Sequence, residues 1–205
     1  MNTIVLPVGH YQGVVHPSGH HVVRMGWEPI PLDDDGTLDV WGFAHGLPDH
    51  EGRWDRSAVI DAATGVGVED AEPILDGLLD RGLVVEVTPG TDEAREFAGY
   101  HRVRPLLIGL GRADGEELDG IGIPGLTVAL RARPRVLEVW EWAHLWPDLW
   151  SACEALAEAA RDTGSLDASE TDPDQVLSFV LGALQTLVSH GAAYLDHRPS
   201  PGPWG

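Results

Sequence analysis

The sequence predicts an α+β protein in which one small unit is used twice in tandem, each copy combining a small antiparallel sheet with three helices. Three observations carry that prediction: an internal repeat, a repeated order of elements after it, and helical apolar spacing at matching places in both halves.

The repeat lies in residues 29–45, PIPLDDDGTLDVWGFAH, which align without a gap on residues 128–144, VALRARPRVLEVWEWAH, at a constant offset of 99. Leu38, Val40, Trp41, Ala44, His45, Pro48 and Asp49 recur as Leu137, Val139, Trp140, Ala143, His144, Pro147 and Asp148. Each window reads as extended chain leading into a first helix, with the DDDG run at 33–36 as the turn between them in the first copy. A second helix follows, opened by Trp54 with Ser57, Ala58 and Val59 and matched by Trp150 with Ser151, Ala152 and Cys153. In the third helix of copy one, Ala71, Ile74, Leu75, Leu78 and Leu79 fall at three- and four-residue spacing, and Val176, Phe179, Val180, Ala183, Leu184, Leu187 and Val188 do the same in copy two. Gly82 and Gly191 then end these helices and release the chain into a short strand, as a glycine able to take positive φ does at a helix C-terminus. Extended segments are expected at 20–25 and 28–32, and over 128–133 the arginines Arg131 and Arg133 alternate with Leu130 and Ala132. Residues 88–96 read as a solvated linker or hairpin tip and 111–120 as a loop. The expected limits are 1–98 for the first unit, 99–197 for the second, and a disordered tail over 198–205.

Composition narrows the functional classes. Hydrophobic residues make up 43% and charged residues 22%, enough for a packed core. The expected setting is cytoplasmic and away from membranes, since no apolar run is long enough to span one and the start lacks a secretory leader. One cysteine, Cys153, excludes an internal disulfide and a cysteine-based metal cage. The net charge of −20 repels polynucleotides, and the third helices are themselves acidic: Glu69, Asp70, Glu72, Asp76 and Asp80 in one, Asp172 and Asp174 in the other. Against that background the stretch from Arg102 to Arg135 carries six arginines.

Three helices with a small sheet is the plan of a winged helix-turn-helix, so the expected fold is two tandem winged-helix-like units. Copy one, through PIPLDDDGTLDVWGFAHG and the later ILDGLLDRGLVVEV, resembles the PqqD-type module known as the RiPP recognition element. The resemblance covers residues 25–87 and again 121–196. It implies a non-catalytic module that adds the leader of a precursor peptide as a strand to its sheet edge, against the third helix, in the biosynthesis of modified peptides. The chain departs from that pattern in carrying two copies, neither with a basic third helix.

The candidate partner-binding residues are Arg131, Arg133 and Arg135, which would line an edge strand and select acidic side chains, together with Trp142 and Trp146 as aromatic anchors. The plainer readings are that the arginines neutralise the protein's own acids and that the tryptophans fill a core. His10, His16, His20 and His21 crowd near the start without a recognised zinc-ligand frame, and no metal or other cofactor is expected. His45 and His144 stand at equivalent helix ends and read as caps. Cys153 on an apolar helix side, Ser18 without a nucleophile elbow, and the acidic GLGRADG segment at 109–115 give no catalytic signature. The expected activity is therefore recognition of a peptide, a precursor leader or a partner enzyme, with a homodimer left open. Alternatives are a DNA-binding regulator that uses the arginine-bearing sheet and an acidic mimic of DNA or assembly subunit.

Overall fold

The computed structural model describes residues 3–48, 50 and 52–198 and shows a mixed α+β protein with small antiparallel sheets. It divides into two units, the described residues of Met1–Thr88 with Leu195–Gly205, and Pro89–Tyr194. Of the expected tail, residues 199–205 lie outside the described residues, as does Asp49 of the repeat.

Unit 1 begins with β1 (Ile4–Pro7), β2 (His10–Val15), β3 (His20–Met25) and β4 (Glu28–Pro31). Next come α1 (Asp35–Phe43), α2 (Arg56–Gly65), α3 (Ala71–Asp80) and β5 (Val84–Val87). Strands β2, β3 and β4 form one antiparallel sheet, and β1 pairs with β5. The DDDG run is more than a turn. Asp34 is the N-cap of α1, its carboxylate accepting from Thr37 N at 2.7 Å, and Asp35 already belongs to the helix. Val40 and Trp41 of α1, Val59 of α2, and Leu75 and Leu78 of α3 share a core with Val5, Val23 and Leu83.

Unit 2 opens with α4 (Asp92–Tyr100). Residues 88–96 therefore do not form the expected open linker, and the division between units falls at Thr88 instead of residue 98. Thr91 caps α4 by accepting from Ala94 N, and Ala94, Phe97 and Ala98 are buried. Arg95 on its outer side reaches Asp174 at 2.5 Å and lies 4.8 Å above the Trp150 ring.

The unit 1 order of elements then repeats. Strands β6 (His101–Pro105), β7 (Ile108–Gly111), β8 (Asp119–Ile123) and β9 (Thr127–Ala132) lead into α5 (Pro134–Trp142) and a 3-10 turn (Ala143–Leu145). The helices α6 (Leu149–Asp162), α7 (Ala168–Thr171) and α8 (Pro173–Ser189) follow, then β10 (Ala193–His197), which starts in unit 2 and ends in unit 1. Here β7, β8 and β9 form the three-stranded sheet and β10 pairs with β6. The first two strands slip register at matching places, between Tyr11 and Gly13 and between Gly109 and Gly111.

The interior fasteners also match. The Trp41 indole donates to Leu83 O and the Trp140 indole to Ala192 O, both at 3.2 Å. Gly82 and Gly191 both take positive φ, +67° and +62°, where the third helix ends. The second helices correspond through their caps, because Asp55 accepts from Ala58 N as Asp148 accepts from Ser151 N. Trp54 therefore precedes its cap while Trp150 follows its own, and the two are not the counterparts the sequence suggested. Trp54 is buried and donates to Phe43 O at 2.7 Å; Trp150 is half-buried beneath Arg95.

Candidate functional site

In unit 2 the end of β9, the start of α5 and the exposed side of α8 enclose a groove of about 810 Å³. Its walls follow from local sequence. Over β9, Leu130 and Ala132 turn into the core while Arg131 between them stays exposed, so the period of two puts a guanidinium on the outer face. Arg133 is the N-cap residue of α5, and Pro134, with no N–H to lose, starts the helix. The far wall is the side of α8 that carries Phe179, Gly182 and Thr186.

All three predicted arginines line this groove, and no acidic residue does. On a chain of net charge −20 that is a concentrated positive surface. The arginines do not line one edge strand as expected: only Arg131 lies on β9, because Pro134 starts α5, leaving Arg133 at its N-cap and Arg135 in its first turn. The three are differently held. Arg131 pairs with Glu116 at 2.9 Å, with both side chains well exposed. Arg135 donates to Ser169 O at 3.0 Å and lies 4.1 Å above the Phe179 ring, which fixes it as part of the wall. The Arg133 carbonyl accepts from Leu137 N at 2.9 Å, while its guanidinium has no ion pair or hydrogen bond among the described residues. The reading in which the arginines only neutralise the protein's own acids thus describes Arg131, and also Arg112, which holds Asp119 at 2.8 Å.

The tryptophans do not join them. Trp142 is 53% exposed and Trp146 42%, at the end of α5 and just past the 3-10 turn, and neither lines the groove. Sequence reading missed Phe179, Gly182 and Thr186 as site residues. Phe179 falls at the three- and four-residue spacing of the apolar face of α8, which marks it as a packing residue; the one signal in the sequence is Gly182, a residue without a side chain in mid-helix.

The other candidates resolve as structural groups. His45 lies edge-on to the Trp41 ring at 4.4 Å and sits 3.1 Å from Trp41 O, and burial pushes its imidazole below the ordinary value. It is therefore a neutral cap whose ring N–H donates to a terminal carbonyl, without the charge that would favour the helix dipole. His144 repeats that bond to Trp140 O at 3.3 Å. Cys153 is fully buried and its thiol is pushed up to about 12, chiefly by desolvation, so it holds no thiolate at neutral pH. Among the described residues no three histidine, cysteine or carboxylate side chains are grouped to hold a metal ion. His21 of the N-terminal cluster instead bridges the Tyr11 hydroxyl at 2.7 Å and Asp35 at 3.1 Å.

No helix among the described residues is long and apolar enough to cross a membrane. No family model matches the chain, no curated protein matches it, and no solved structure matches its fold.

Proposed function

We propose that this chain is a non-enzymatic recognition protein that holds an extended, acidic segment of a partner polypeptide along β9, against α8. The observation that carries this reading is the groove itself: three arginines and no acid, beside a strand paired on one side only. An added strand bonds to the open edge through its main chain, and the guanidiniums of Arg131 on β9 and of Arg133 and Arg135 at the start of α5 select carboxylates on it. Both halves carry a three-stranded sheet followed by helices and a last strand, with α4 and α7 as additions in the second half, and this order supports the finer reading as tandem winged-helix-like units of the PqqD type. On that reading the segment is the leader of a precursor peptide or a tail of a partner enzyme. Polynucleotide is disfavoured by the overall charge and by the carboxylates of α3.

The test is fluorescence anisotropy with a labelled peptide in which glutamate and valine alternate, compared with its glutamine counterpart and with a DNA duplex. Saturable binding of the glutamate peptide, weakened by added salt and by Arg133→Glu by at least about tenfold, is expected. Equal binding of the glutamine peptide, or tighter binding of the duplex, would overturn the reading.

A further inference from the structure

We infer that only one of the two repeated edges accepts a strand: the chain takes a single peptide, on unit 2, because unit 1 has closed its own edge. This rests on the recognition reading above and adds the stoichiometry and the residues that set it.

The closure begins with two prolines. Strand β4 reads Glu28-Pro29-Ile30-Pro31 and pairs with β3 alone. Leu32 donates its N–H to His21 O at 2.8 Å, and in an antiparallel ladder alternate residues bond inward. Following the register back, Ile30 opposite Val23 and Glu28 opposite Met25 also bond to β3. Pro29 and Pro31 are left facing outward, where an incoming strand would need N–H donors that proline lacks.

A guanidinium adds a second closure. Arg81, at the C-cap of α3, crosses to β4 and donates to Pro31 O, the outward acceptor that pairing with β3 leaves open. It also holds Asp33 at 3.2 Å. Any peptide entering between α3 and β4 would have to displace it. Charge supplies a third, since Asp33, Asp34 and Asp35 at this corner repel the acidic segment that the arginines of unit 2 attract.

Unit 2 differs at each place. The gapless offset of 99 fails inside this strand: Ala129 is an extra residue between Leu130, opposite Ile121, and Val128, opposite Gly122. Leu130 therefore faces Ile121 as Ile30 faces Val23, and Arg131 comes to the place of Pro31. Strand β9 contains no proline, so its residues keep their donors. His190 precedes Gly191 as Arg81 precedes Gly82, but its ring turns back on its own helix, 2.8 Å from Thr186 O. Among the described residues, the one guanidinium that reaches α8 from the strand side, that of Arg135, lies over Phe179 and donates to Ser169 O, away from the carbonyls of β9.

Hydrogen exchange and titration calorimetry with the glutamate–valine peptide test this on the full chain. The expected result is one peptide per chain and new amide protection in 127–133 but not in 28–35. Arg81→Ala should leave affinity within about twofold of wild type, while Arg131→Pro, which copies the unit 1 edge, should abolish binding. Because that proline could disturb folding, Arg133→Glu serves as the second variant and should weaken binding by at least about tenfold with the exchange of the remaining chain unchanged. Two peptides per chain, or protection of 28–35, would overturn the single-edge inference and leave the recognition reading standing. No binding by wild type would overturn both.

Discussion

The two copies agree where they are buried and disagree where they meet solvent. Both indoles of the first helices find a carbonyl after the third helix, at the same distance, and both histidines a turn later turn onto the main-chain carbonyl of that tryptophan. A buried donor without an acceptor costs about 1–3 kcal/mol, so these bonds cannot drift singly. At the strand-to-helix corner the bonds are different in the two copies: unit 1 has Asp33, Asp34 and Asp35, with Asp34 capping α1, and unit 2 has Arg133 at the cap position with Arg131 before it and Arg135 after it. The buried fasteners are thus the scaffold of the repeated unit, and the strand-to-helix corner is the part free to specialise.

The largest expected effect tests the scaffold. Trp41 is 4% exposed and donates into the core, whereas its partner Trp140 is half-buried. Trp41→Ala should cost about 3–5 kcal/mol in guanidinium unfolding, and Trp140→Ala distinctly less. Equal losses would mean that burial does not set the value of this contact and would remove the difference drawn between the two cores. Next in size is Cys153→Ser, in a fully buried site of α6, which should lose about 1–3 kcal/mol by placing a hydroxyl there without a prepared acceptor. With its thiol at about 12, Cys153 should resist alkylation at pH 8 until the chain unfolds. Rapid labelling of the native protein would reopen the question of a reactive cysteine.

How much of this was legible in the sequence depends on how far apart the determining residues lie. The third helices could be read from spacing because Leu75 and Leu78, or Val180 and Leu184, are neighbours on one face within a single turn. The exposed Arg131 of β9 could be read because a strand alternates, but the same alternation wrongly carries the strand on through Arg133 and Arg135, where Pro134 starts a helix. The helix α4 was missed: its buried face is only Ala94, Phe97 and Ala98, and its charged remainder looks like a solvated linker. The DDDG run looked like a turn because aspartate favours both turns and N-caps, and only the bond from Thr37 N separates the two. The Arg81 strap joins residues fifty apart in sequence, and nothing local marks it. The groove was half visible, its strand wall by pattern and its helix wall, where Phe179 meets Arg135, by tertiary contact alone.

The smallest effect sharpens the corner comparison, because its two sides should respond in different measurements. Asp34 accepts from both the N–H and the hydroxyl of Thr37, and these bonds hold its carboxyl below the usual carboxylate range. A carboxyl whose pKa is lowered by folding stabilises the protein above its unfolded value, near 3.9, and loses that contribution as pH falls through the lower folded value. Asp34→Ala should therefore cost about 1 kcal/mol at pH 7, and the gap to wild type should close in acid. Arg133 holds the same cap position in unit 2 without a capping bond, so Arg133→Ala should change stability by less than about 0.5 kcal/mol at any pH. Its effect should appear in peptide affinity instead. Thermal unfolding at pH 7 and near pH 2.5, run beside the anisotropy titration, separates the two. An Arg133→Ala protein that lost stability and kept its affinity would show that the unit 2 corner, like the unit 1 corner, serves to start its helix and not to hold a partner.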